Sequence, residues 1–300
     1  VIETLFPPVQ RGLFFVGLLG LGGVAAWRLW IGPTLRAESE PVAAIEGAVA
    51  RAGFWLTVGL LPLWAARLES QLLGFRDPFV PWIEDASFLV LETFWGWSWM
   101  VQGVLMILLA LVLYRWRGRL GALDRPAYAI PLLVAGIALT QALASHAMSV
   151  PFNRWVAVGL DAVHLLVAGG WMGSLALILW VTRGDKARWL PAQLRAFSPV
   201  AMGSVAFLVF SGVQLSAQHV MAWENLWGSA YGRVLVLKIG IALVVLALGG
   251  WNWRRGLPAL GTPHGDRQVR NRAAVEVVAA LAVVAVTAVL TGMSMPEGTH

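Results

Sequence analysis

Residues 231–251 read YGRVLVLKIGIALVVLALGGW, an apolar run broken only by Arg233 and Lys238. A membrane-crossing helix needs roughly 20 mainly apolar residues, and this run supplies them. The same reading applies near 9–31, 45–72, 86–114, 127–149, 157–182, 196–221 and 271–292. The breaks fall at chain-breaking residues: Pro33 and Pro41, Pro78 and Pro81, Pro126, Pro151, Pro191 and Pro199, and the Gly256 to Gly265 loop. The expected fold is all-α, a polytopic bundle of about eight transmembrane helices. No linker or low-complexity segment divides it, so residues 1–300 read as one integral membrane domain.

Composition agrees. The chain of 300 residues is 58% hydrophobic and 13% charged, with a mean hydropathy of +0.71. A soluble domain of this size could not hide so much apolar surface. The absence of cysteine removes disulfides, thiolate metal sites and cysteine catalysis. A net charge of +6 invites a nucleic-acid reading. In a membrane chain, however, basic residues collect in cytoplasmic loops, so no nucleic-acid partner is expected. The 17 Trp suit a lipid–water interface. The first apolar stretch is long enough to span, so no cleavable signal peptide is expected.

Direction follows from three loops. Arg115, Arg117, Arg119 and Arg125 crowd the third-to-fourth connection, and Arg183, Lys186, Arg188 and Arg195 the fifth-to-sixth. Arg254, Arg255, Arg267, Arg270 and Arg272 lie between the seventh and eighth spans. The positive-inside rule puts these connections in the cytoplasm and both termini in the periplasm. Arg51, Arg67 and Glu69, at the ends of the second span, are expected to snorkel to an interface.

A doubled pattern carries the chemistry. Thr140–Met148 reads TQALASHAM and Val213–Met221 reads VQLSAQHVM, each with Gln, then His five residues on, then Met two further. With direction assigned, His146, His219, His164 and His300 all lie toward the outer face, as do Met148, Met221, Met293 and Met295. Imidazole with thioether, without thiolate, suits copper: thioether favours Cu(I), and imidazole accepts Cu(I) or Cu(II). Residues two apart point to nearly opposite sides of an α-helix. His146 and Met148 therefore cannot clamp one ion unless the helix end unwinds. The histidines are the expected ligands, the four methionines and His300 secondary capture groups.

On regular helix, Gln141 and Ser145 align with Met148, and Ser211, Gln214 and Gln218 with Met221. These stripes are expected to face each other, as a path or as a hydrogen-bonding seam. Asp161, three residues before His164, could orient the imidazole or cap a helix start. A buried pairing among Lys238, Asp161 and Glu92 is a further expectation. Met100, Met106 and Met202 read as core.

The segment DAVHLLVAGGWMG, from Asp161 to Gly173, resembles the signature helix of CopD-type copper resistance membrane proteins. Phe197-Ser198, Ser211-Gly212, Tyr231 to Lys238 and Asn252 resemble the rest of that domain, and the likeness covers roughly 157–292. The resemblance implies a bacterial inner-membrane protein that binds copper and handles its transport or homeostasis. It supports His164, Trp171, Tyr231 and Lys238 as family positions, and implies a separate periplasmic partner of the CopC type. No P-loop or other nucleotide-binding motif is present, and a non-enzymatic role in copper uptake is expected. Two alternatives remain open: a haem-binding electron carrier of the cytochrome b type, and a scaffold for assembly of a copper enzyme.

Overall fold

The computed structural model describes residues 2–37, 42–77, 79–116, 128–149, 153–220 and 224–293, among which there is no strand. The helices are α1 (Ile2–Ala26), α2 (Gly32–Ala37), α3 (Ala43–Leu72), α4 (Trp82–Glu92), α5 (Phe94–Trp116) and α6 (Ala129–Leu143). They continue with α7 (Arg154–Ala168), α8 (Ser174–Val181), α9 (Leu190–Val220), α10 (Glu224–Gly228), α11 (Ala230–Trp251) and α12 (Pro263–Leu290). Three π-helical turns interrupt this series, at Trp27–Ile31, Gly169–Gly173 and Asn252–Gly256. The first joins α1 to α2 and the second joins α7 to α8, giving two continuous rods.

Seven helical stretches among the described residues are long and apolar enough to cross a membrane: Leu5–Ala37, Ala43–Leu72, Phe94–Arg115, Arg154–Val181, Gly184–Ser216, Ala230–Ala259 and Pro263–Leu290. The fourth expected span is instead the shorter α6. Its 15 residues rise only about 22 Å, against roughly 30 Å of hydrocarbon. The chain leaves the helix at Ala144 (φ −96°, ψ 15°). Ser145 Oγ then accepts from Ala147 N (3.2 Å) and lies 2.8 Å from Ala142 O. A serine that satisfies the backbone this way competes with helix continuation, and a 3₁₀ turn follows at His146–Ser149.

The third span also differs from its expected 86–114. It splits at Thr93, whose extended backbone (φ −109°, ψ 150°) separates α4 from α5. Thr93 Oγ1 accepts from Gly96 N (3.0 Å), an N-cap for α5. Hydropathy alone runs through the break because Phe94 and Trp95 are as apolar as a span.

The α1 rod packs against α3, α6, α7, α8 and α12, and is the most buried of the candidate spans. Close approach depends on glycine. A Cβ on Gly22 would lie 2.8 Å from the Gly169 Cα, and one on Gly173 would collide with the Leu19 carbonyl. Small residues that let backbones touch are how helices associate where lipid supplies no hydrophobic drive. Ser174 Oγ adds a hydrogen bond to Gly23 O at 3.3 Å.

At the other joints, caps set the ends. Thr262 accepts from Gly265 N (3.1 Å) and precedes Pro263, starting α12 earlier than the expected 271. Arg270 donates to the carbonyls of Leu179 (3.0 Å) and Thr182 and to Thr182 Oγ1 (2.9 Å), satisfying the carbonyl end of α8. Arg67 departs from its expected snorkelling. It is 9% exposed, donates to Gln102 Oε1 at 2.7 Å, and lies 5.0 Å and 6.0 Å from the ring centroids of Phe14 and Trp95. Inward partners of both kinds, an amide oxygen and aromatic faces, hold the guanidinium inside.

Candidate functional site

Helix α7 carries a polar cluster near the end that holds the α6–α7 connection. Asp161 and His164 lie one turn apart and reach different neighbours. Asp161 Oδ2 accepts from Ser145 Oγ, beyond α6, at 2.8 Å. His164 Nδ1 meets Ser211 Oγ on α9 at 2.7 Å. The Lys238 ammonium, on α11, is within Coulombic range of both Asp161 and His164. Four elements thus contribute to one locus.

The Ser211 contact fixes the imidazole. Ser211 Oγ is also 2.8 Å from the Phe207 carbonyl, one turn back on its own helix. When the hydroxyl proton is directed to that carbonyl, the oxygen accepts from His164 Nδ1–H and Nε2 keeps its lone pair, the form in which an imidazole binds a metal. Gly212 lines the same ring, with the His164 Cε1 4.0 Å from where a Cβ would stand.

The doubled pattern is arranged differently from expectation. Both helices pack on α7, and the two polar stripes join α7 through Ser145 and Ser211 rather than facing each other. Gln141 points away, toward Gln102 (3.4 Å) on α5, extending the Arg67–Gln102 chain. Gln214 is exposed. Met148 packs with Ala142, Ala147, Ala157, Val158 and Ala162, and Met293 with Tyr231, Leu235 and Leu290. The helix end does unwind at His146–Ser149. In a 3₁₀ turn residues two apart diverge by about 120°, less than on an α-helix.

The backbones of His146, Gln218 and His219 are described and their side chains are not; Met221, Met295 and His300 lie outside the described residues. Among the described residues no three His, Asp or Glu cluster as a metal cage. Glu92 is exposed and apart from the Lys238 locus, Met106 is buried as expected, and Met202 is 52% exposed.

A second polar centre was not anticipated. Glu276, at the middle of α12, is 3% exposed. Asn252, the first residue of the third π turn, donates Nδ2–H to its Oε2 at 2.8 Å, and the Trp171 indole is a second hydrogen-bonding neighbour. Gly249 makes room for both: a Cβ there would lie 3.2 Å from Glu276 Oε1 and from Trp171 Cζ2. The available signal was a carboxylate inside the otherwise apolar run 273–290.

Apolar rods of this length, broken by buried polar centres, define a multi-pass membrane protein, and residues 191–290 match the Copper resistance protein D (CopD) family. The chain is also 28% identical over 184 residues to the Copper transport protein CutJ of Bacillus subtilis (strain 168). That similarity covers 59% of this chain and 33% of CutJ, so the matched stretch is about a third of that relative. No solved structure matches. The resemblance carried by the sequence motifs is borne out over residues 191–290. The family match includes Ser211, His219, Lys238, Asn252 and Glu276, and begins beyond His164 and Trp171.

Proposed function

We propose that this chain is a copper-transporting protein of the bacterial inner membrane, taking copper at the Asp161 end of the bundle and passing it inward through His164. The observation that carries the reading is the His164–Ser211–Phe207 chain of contacts, which, with the Ser211 proton on the Phe207 carbonyl, leaves Nε2 free to ligate. CopD-family similarity and the name of CutJ support copper as the cargo.

His164 alone cannot complete a coordination shell. His146 and His219, from the two copies of the repeated pattern, are the next ligands, with Met148 and Met221 as soft secondary donors. Met293, Met295 and His300 form a capture arm. A mixed imidazole and thioether set favours Cu(I). Lys238 opposes residence of a cation and Asp161 offsets it, a balance that suits a carrier, since a transported ion must be bound firmly enough to enter and weakly enough to leave. The three basic connections set the Asp161 end, and both termini, in the periplasm. There a CopC-type protein would deliver copper. The chain acts as a carrier and not as an enzyme.

The test is copper uptake by liposomes containing the full chain. Uptake that His164→Ala abolishes supports the reading; uptake unchanged by that substitution defeats it. A Soret band in the purified protein would favour the haem reading instead. The absence of native cysteine allows a clean orientation test. Ala187→Cys should label only from the cytoplasm and Phe79→Cys only from the periplasm.

A further inference from the structure

We propose that Glu276 is an exchangeable proton site in the membrane interior, and that inward copper movement, on the reading above, is exchanged for its proton. The Glu276 carboxyl is 3% exposed, and its close hydrogen-bonding partners, Asn252 and Trp171, are neutral. An isolated carboxylate in such surroundings costs far more than its neutral acid, so it must acquire a positive partner.

The surrounding elements offer none. Arg272, one turn away on α12, is half-buried and makes no ion pair with it. Arg270 is committed to the end of α8, and Asp266 to Gly261 N at 2.9 Å. Arg267 is exposed near the helix start, and His264 bonds Gln268. On α11, Arg233 is exposed and Lys238 serves the Asp161 locus, eleven residues beyond Gly249, or about 16 Å along the helix. In the adjoining π turn Arg254 and Arg255 are exposed. On α1, Arg11 donates to Pro7 O and lies by Gly292, at the far end of α12. Helix α8 and the Gly169–Gly173 turn carry no charged residue.

Independent geometry points the same way. Two of the π turns among the described residues converge on this one carboxyl, one supplying Trp171 and the other Asn252. Such turns are strained insertions that recur at functional sites. They also put Glu276 on the copper route. Trp171 is seven residues beyond His164 on the same rod, about 10 Å deeper.

The exchange balances in charge. A monovalent copper ion arrives from the periplasmic side, the carboxyl O–H bond breaks, and the proton leaves to periplasmic water. When copper moves on to the cytoplasm, a proton from cytoplasmic water restores the acid, so one proton moves outward for each copper ion moved inward.

Infrared spectroscopy of the copper-free full chain tests the site separately from transport. A protonated-acid C=O band that shifts in D₂O should be present in the native protein and absent from Glu276→Gln, which keeps the side chain's shape. Asn252→Leu should retain the band and raise its frequency, since a hydrogen bond is lost; this assigns the band if the Gln variant fails to fold. Absence of a Glu276 acid band at every pH where the protein is folded overturns the proposal. So does thermal stability that depends on Na⁺ or K⁺ with no acid band, because the partner is then a metal cation. In liposomes, native protein should release one proton per Cu(I) taken up, and Glu276→Gln should lose that release. A native acid band with no copper uptake retains Glu276 as a proton site and sinks the transport reading alone.

Discussion

Two polar centres are linked by the α7–α8 rod, which gives His164 to one and, about two turns on, Trp171 to the other, and they are built on opposite principles. The His164 centre holds a cation, a carboxylate and hydroxyls drawn from four elements, so its charges offset one another. The Glu276 centre holds one acid among neutral donors. Between them lies the glycine-rich turn at Gly169–Gly173, pressed against α1. A compensated cluster can receive a cation without large rearrangement, whereas an uncompensated acid must exchange one positive partner for another. The contrast assigns binding to the first centre and exchange to the second.

The largest expected effect breaks the first centre. His164→Ala removes the proposed ligand and should weaken copper affinity by at least about 100-fold, the upper range for loss of even an indirect partner. Isothermal titration with Cu(I) under anaerobic conditions reads it. Glu276→Gln should leave that affinity within a factor of about 3, well under the loss expected when a residue bonded to a metal ligand is removed, which separates the centres. Ser211→Ala is next. It frees Nδ1 and lets the imidazole change tautomer and tilt, and should cost about 10- to 100-fold in affinity with the fold retained. Ser211→Thr, which keeps the hydroxyl, should recover most of that loss; no recovery would mean that Ser211 acts through packing alone.

Arg67 sharpens the comparison from outside both centres. Arg67→Met leaves the Gln102 oxygen without its donor and should destabilise the protein by about 1–3 kcal/mol. Copper affinity should not change, and thermal unfolding in detergent read beside the titration checks both. A large loss of copper binding would extend the site along the Arg67–Gln102–Gln141 chain. The smallest effect is expected at Gln214. Being exposed, Gln214→Leu should shift stability by no more than about 0.5 kcal/mol and leave copper binding intact; a marked loss would restore the paired-stripe arrangement.

Much of this was legible in the chain. Hydropathy located the apolar rods because lipid demands a long unbroken apolar run, and His164 with Asp161 stood out as polar groups inside one. Hydropathy failed where a polar backbone bond decides an end: Thr93 splits a span and Ser145 shortens another, and each is a single hydroxyl among apolar neighbours. Periodicity aligned Gln141 with Ser145 and Met148, yet it does not say which neighbour each residue meets, and Gln141 turned to α5. Arg67 read as a snorkelling interfacial residue because its inward partners, Gln102 and two aromatic rings, are far away in sequence. Glu276 escaped notice for a similar reason: its partners, Asn252 and Trp171, are far away in sequence.

The central claim is that His164 ligates copper through Nε2. Copper-edge X-ray absorption on the full chain, loaded with one equivalent of Cu(I), tests it most directly. The account predicts imidazole scattering that falls by one histidine in His164→Ala, alongside weakened binding. An unchanged spectrum with unchanged affinity in that variant would contradict it.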